Sequence, residues 1–201
     1  GTVYQATFRL RPGDGQGPRA YLDRQPYFQQ MPRFLVHETA VHLLDTFRYL
    51  FGEATSLYAD LTRLNPAIAG EDAGIILMTH ATGVRTVFDG NRLVDHAADN
   101  TRRTMGELII EGSAATLTLD GMARISVRAH GSTHAAPVPY TWQDRGFGGD
   151  CVYAFIDAYA AARRANQTPE TTARDYLNTL DLEAAAYRSS ATGARITLTN
   201  P

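Results

Sequence analysis

The sequence predicts an α+β fold: a large, mostly antiparallel sheet with helices packed on one face. Three observations carry that expectation. A central block, residues 56 to 130, alternates apolar and polar positions at period two. Segments with a helical period flank the block on both sides. A lone strand pattern opens the chain and another closes it. There is no internal repeat or low-complexity stretch, so residues 1–201 are expected to form a single domain.

The first element is TVYQATFRLR (2–11), which alternates and reads as a strand. Residues 12–33 hold four of the nine prolines, with Gly13, Gly15 and Gly17, and read as a long loop of the kind that serves function. Residues 36–51 place Val36, Ala40, Leu43, Leu44, Phe47, Leu50 and Phe51 on one side of a helix, with Gly52 as its C-cap. Six strand patterns come next: SLYADLTRL (56–64), AGIILMTHA (73–81), VRTVFDG (84–90), GELIIEG (106–112), ATLTLDG (115–121) and ARISVRAH (123–130). Glycine or asparagine turns separate most of them, and the short gaps predict antiparallel hairpins. A loop over 130–150 precedes a helix over 149–165, with Val152, Phe155, Ile156 and Tyr159 as its apolar stripe. Thr168 has the character of an N-cap, with Pro169 at the first helical position. Residues 175–190 read as a further helix, and ARITL (194–198) as the final strand.

Composition narrows the function classes. Apolar residues are 44% and charged residues 20%, and the net charge of −2 is spread along the chain. No basic stripe suggests nucleic acid, and no apolar run approaches the ~18 residues of a membrane span. The single cysteine, Cys151, cannot form an internal disulfide, which fits a cytoplasmic location. Cys151 stands where a helix begins and could have an activated thiol, but a small buried residue is the expectation. The chain starts Gly1-Thr2-Val3-Tyr4 and enters a strand at once, so it is expected to be a piece of a longer protein; a processed terminus is the other reading.

HETAVHLLD (37–45) starts like the H-E-x-x-H signature of zinc proteases. His37 and His42 are five apart, however, and on a regular α-helix they would point about 140° away from each other. No metal is expected there. On the same wheel, measured from Glu38, His42 falls at about 40°, Asp45 at about −20° and Tyr49 at about 20°. Acid, histidine, acid and tyrosine thus form one stripe opposite the apolar one. A solvated face is the plain reading. The stripe carries no lysine or arginine, though, and it comes after a loop bearing Arg24, Gln25, Tyr27, Phe28 and Arg33, a set suited to a polar ligand. A histidine beside a carboxylate is placed to move a proton near neutral pH. His37 flanks the stripe and could reach a ligand. GDGQGP (13–18) opens no helix after a strand and is not expected to cradle phosphate.

RFLVHETAVHLLDTFRYLFGE (33–53) resembles the C-terminal domain of the glucose-fructose oxidoreductase, inositol dehydrogenase and rhizopine catabolism protein (Gfo/Idh/MocA) family. Members of that family carry an acid, a glycine two later, a histidine four later and an aspartate seven later. The matching positions here are Glu38, Ala40, His42 and Asp45. GELIIEGSAATLTLDG (106–121), RGFGGDCVYAFIDAY (145–159) and the terminal helix with ARITL are similar to the family as well, so the resemblance covers nearly the whole chain. It implies a full-length oxidoreductase whose own N-terminal Rossmann domain binds NAD or NADP, with no cofactor expected on this chain alone. It implies catalytic roles for His42 and Glu38, with Arg24, Tyr27, Arg33, His37 and Asp45 on the substrate side. The small-molecule substrate would be a sugar or polyol, and the sheet face would make a homo-oligomer. The alternative is a non-catalytic ligand-binding or dimerisation module of the same fold. Glutamate for aspartate and Ala40 for glycine are the departures from the family pattern.

Overall fold

A computed structural model describes residues 1–143 and 148–198. Residues 145–147 of the RGFGGDCVYAFIDAY stretch lie outside the described residues. The strands are β1 (Val3–Leu10), β2 (Ala54–Thr62), β3 (Ala73–His80), β4 (Arg85–Asn91), β5 (Gly106–Gly112), β6 (Ala115–Leu119), β7 (Ile125–Ala129), β8 (Ala135–Pro137) and β9 (Ile196–Thr197). The helices are α1 (Val41–Phe51), α2 (Cys151–Arg164) and α3 (Ala173–Thr192). One π turn, Leu35–Ala40, leads into α1, and a 3₁₀ turn spans Pro26–Gln30.

All nine strands join one sheet in the order β8-β7-β6-β5-β1-β4-β3-β2-β9. Only β1 with β4 is parallel; every other neighbouring pair is antiparallel. The parallel pair arises because β1 is inserted between β4 and β5, two strands later in the sequence. Gly106 makes that insertion possible, since a Cβ there would stand 1.9 Å from the Arg9 carbonyl oxygen of β1.

The period-two pattern sets which residues face the helices. Ala6, Phe8 and Leu10 of β1 are buried with Leu57, Ala59, Ile76, Met78 and Phe88 from the neighbouring strands. They meet Leu44, Phe47 and Phe51 of α1 and Leu182, Ala185 and Ala186 of α3. Each such large apolar side chain contributes about 1.5–3 kcal/mol on burial, which fixes the register of both helices on the sheet. Gly52, at φ +82°, ends α1 as expected.

Several details depart from the pattern reading. β8 lies in the stretch read as loop. The N-cap of α3 is Thr172, whose hydroxyl oxygen accepts from the Asp175 N–H at 3.1 Å; Thr168 precedes an irregular bend. A Thr-x-x-Asp spacing satisfies a helix start directly, whereas Thr168 is succeeded by Pro169, Glu170 and Thr171 outside any helix. Cys151, expected to be buried, is exposed at the start of α2.

Two apolar surfaces stay uncovered. On the helix side, Leu108, Ile110, Leu117, Leu119, Ile125 and Val127 of β5–β7 are only half-buried, because α1 and α3 lie over the other end of the sheet. α2 has no buried residue, and Val152, Phe155, Ile156 and Tyr159 all face outward. On the opposite side, Tyr58, Ile75, Leu77 and Ile109 stand exposed. Among the described residues no helix is long and apolar enough to cross a membrane.

Candidate active site

The segment bearing Glu38 begins at a charged cap. The Glu71 carboxylate accepts from the backbone N–H of Phe34 (3.1 Å) and Val36 (3.0 Å) and from the Tyr187 hydroxyl (2.7 Å). Burial and the Glu71 carboxylate push the Tyr187 hydroxyl well above its ordinary pKa, so it stays a donor. Val41 N–H then bonds the Val36 carbonyl five residues back, which makes the first turn a π turn. Residues in such a wider turn advance by less than the ~100° per residue of an α-helix, and Glu38 is one of them. A regular wheel puts Glu38 and Asp45 on one stripe; the π turn parts them.

Glu38 points toward the long loop and Arg92. Its Oε2 accepts from Arg92 Nη1 at 2.9 Å and from the Thr39 hydroxyl. Arg92, just past the end of β4, has only 2% of its side chain exposed. Its Nε and Nη2 also reach the Asp14 carboxylate at 3.2 and 3.0 Å. Burial works against the guanidinium charge, but hydrogen bonds and charge from Asp14, with Glu38 adding to them, hold its pKa above the usual arginine range. The guanidinium lies 4.6 Å over the Phe34 ring, 5.1 Å over Tyr21 and 5.5 Å over Phe28. Those rings, with Ala20 and Ile68, form a second small core that folds the loop onto the sheet.

Loop, π turn and Arg92 enclose a cleft of ≈ 490 Å³ lined by Asp14, Tyr21, Arg24, Gln25, Glu38 and Arg92 among others. Tyr21 and Phe28 contribute aromatic surface, but most of the lining is charged or polar, which suits a polar small molecule. His42, one turn beyond Glu38, has an exposed ring outside that lining.

The other expected site residues divide between the loop and α3. Arg24 lines the cleft and donates to Gln25 Oε1 at 2.6 Å. Tyr27 is exposed, and its hydroxyl accepts from Gln25 Nε2 at 3.2 Å. Arg33 lies 4.5 Å over the Tyr187 ring, in a separate groove shared with Glu71 and Arg188. His37 Nδ1 is 2.7 Å from Glu183 of α3. Asp45 accepts from Thr179 of α3 (2.6 Å) and from Arg48 (2.9 Å). Glu38 and Arg24 are thus brought to one cleft, and Arg33, His37 and Asp45 to α3.

The π turn also brings residues five apart closer than an α-helix would, which weakens the spacing argument against a shared zinc at His37 and His42. The side-chain contacts offer no other ligand: His37 is engaged by Glu183, and no group of three or more His, Cys, Asp or Glu suited to a metal occurs among the described residues. Nor do the residues of GDGQGP fit a dinucleotide phosphate. Gly15 N–H donates to the Arg92 carbonyl at 2.9 Å, and the Gly15 and Gly17 carbonyls accept from Asn65. Arg92 and Asp14 are the site residues that sequence reasoning missed. Arginine in a turn after a strand reads as solvated, and nothing in its local pattern marks it.

The sequence profile of the GFO/IDH/MocA C-terminal domain matches residues 1–118. A D-apiose dehydrogenase of Paraburkholderia graminis is 34% identical over 181 residues, 87% of this chain and 47% of the relative. A second D-apiose dehydrogenase, from Rhizobium rhizogenes, is 28% identical over 86% of this chain and 51% of its own length. The chain therefore spans about half the length of the curated relatives it matches. In fold it is similar to an Agrobacterium radiobacter oxidoreductase solved with NAD+, L-tartaric acid and magnesium, at a TM-score of 0.81 and 24% identity, covering 98% of this chain and 57% of that one. An aldose-aldose oxidoreductase of Caulobacter crescentus solved with glycerol is similar at a TM-score of 0.74 and 17% identity, covering 98% and 56%. By profile and by its identity to a curated relative, this chain belongs to the GFO/IDH/MocA C-terminal domain family.

Proposed function

We propose that this chain is the substrate-binding and oligomerisation domain of a nicotinamide-dependent dehydrogenase acting on a hydroxyl of a sugar or polyol. The observation that carries the reading is Glu38 anchored in a polar cleft with an exposed His42 one turn on, in a chain 34% identical to a D-apiose dehydrogenase. His42 takes the hydroxyl proton as the carbonyl forms, and Glu38 accepts a hydrogen bond that orients the substrate. Arg24 and Tyr27 sit beside that path at the loop. Arg33, His37 and Asp45 serve the site by holding its helix against α3. A nicotinamide, NAD or NADP, supplies the hydride acceptor when bound.

The chain spans about half the length of the curated relatives it matches, which supports placing the cofactor on an N-terminal Rossmann half. The bare stripe of α2 and the half-buried face of β5–β7 support such a partner, because both need an apolar cover. Tyr58, Ile75, Leu77 and Ile109 support a second copy on the opposite sheet face.

The experiment is nicotinamide reduction by the full-length protein over neutral aldoses, polyols and sugar acids. Turnover with a neutral aldose or polyol is expected. If the intact protein oxidises none of them yet still binds them in a calorimetric titration, the domain is a ligand-binding module.

A further inference from the structure

We propose that Arg92 is the positioning residue of this site, assigning different jobs to the two oxygens of Glu38. The inference rests on the reading of Glu38 and His42 as the catalytic pair. Glu38 Oε2 takes two donors, Arg92 Nη1 and the Thr39 hydroxyl, whereas Oε1 accepts nothing among the described residues. Thr39 completes a triangle, since its Oγ1 also accepts from Arg92 Nη1 at 2.7 Å. With Oε2 fixed from two directions, the carboxylate plane cannot rotate, and the direction of Oε1 is set. Oε1 is the oxygen left to receive a substrate hydroxyl.

Arg92 can impose this because it cannot itself move. Its opposite edge is held by both Asp14 oxygens, and three aromatic rings surround its plane. Its backbone follows β4 directly, and its N–H donates to the Asp72 carbonyl at 3.0 Å, which ties the residue to the sheet. The arrangement needs a guanidinium: a forked planar cation serves Asp14 and Glu38 at once, whereas an ammonium is a point charge without the fork. Placement within about 0.5 Å is what separates a working site from one merely present.

The test is a double-mutant cycle in the full-length enzyme: Arg92→Lys, Glu38→Gln and both together. kcat, KM, the pH profile of kcat/KM and the thermal midpoint are measured for each. Arg92→Lys alone is expected to lower kcat about 10- to 100-fold, the usual effect of a supporting partner, with KM changed less. It should do little more in the Glu38→Gln background, because there it has no carboxylate to orient. Additive losses, or a lower thermal midpoint with wild-type kcat and pH profile, would make Arg92 a structural residue only. Should Arg92→Lys fail to fold, Thr39→Val removes one donor to Oε2 at nearly constant volume and must reproduce the kcat loss; wild-type kcat there overturns the proposal. If Glu38→Gln and His42→Ala both keep full activity, the catalytic reading itself has failed and Arg92 has nothing to position.

Discussion

Asp45 and Glu38 lie seven residues apart on one helical segment, yet their carboxylates bind different parts of the domain. Glu38 pairs with Arg92 across the loop at 2.9 Å, and Asp45 accepts from Thr179 of α3 at 2.6 Å. Glu38 stands within the π turn and Asp45 in α1, so the motif does not keep the single face that a regular helix would give it. Glu38 lines the cleft, and Asp45 anchors α1 to α3.

The anchorage has a measurable strength. Arg48, 4% exposed at its side chain, is paired with Asp45, Glu53 and Asp175 and also donates to Thr179. Its bonds to Glu53 hold that carboxyl below the ordinary pKa. Arg48→Met is expected to destabilise the protein toward the lower end of about 3–5 kcal/mol, since the orphaned carboxylates are partly solvated. Urea unfolding checks this, and a loss under about 1 kcal/mol would show that α1 and α3 are held by their apolar contacts alone.

Stability should fall on mild acidification through His80. Its Nδ1 lies 2.6 Å from the Gly52 carbonyl and its Nε2 3.0 Å from the Thr86 hydroxyl, so both ring nitrogens are engaged in a buried site. Burial holds its pKa below the ordinary 6.5, against the smaller opposing pulls of the Gly52 carbonyl and Glu53. The unfolded chain takes up the proton first as pH falls, so the contribution is complete above about 6.5 and is lost on the way down to the folded-state value. Urea midpoints at about pH 7.5 and 5.5 should fall more for wild type than for His80→Gln. An equal fall in both would assign the acid sensitivity elsewhere.

The exposed sheet face yields an assembly prediction. Tyr58 pairs with Leu77 and Leu77 with Val87 in register, a continuous apolar row beside exposed Ile75. Sedimentation should show an oligomer for wild type and a smaller species for Leu77→Arg, because a charge on that face cannot be covered without loss. A monomeric wild type at the same concentration contradicts the second-copy reading.

Much of the sheet is legible in the sequence because alternation is local: each strand from β1 to β7 can be read from its own residues. The helix motif is legible through family resemblance, and Gly52 through its own backbone requirement. The features that escape a sequence reading depend on distant partners. The π turn is capped by Glu71, 37 positions from Phe34, and Arg92 is set by Glu38 and Asp14, 54 and 78 positions away. A regular wheel drawn for residues 38–45 therefore places Asp45 beside Glu38, whereas Glu38 stands in a π turn whose start is capped by Glu71. Thr168 attracts the N-cap reading because Pro169 stands next to it, but the cap is the Thr172–Asp175 bond, a local signal that lies four residues further on.

The most direct test is His42→Ala in the full-length protein, assayed with whichever sugar or polyol the intact enzyme oxidises. His42 is exposed, so the variant should fold as wild type by thermal melt. A loss of about 10²- to 10⁴-fold in kcat/KM, the usual worth of a positioned general base, is the expected result. A value within a few fold of wild type would contradict the assignment of proton transfer to His42 and leave this cleft as a binding site without catalytic chemistry.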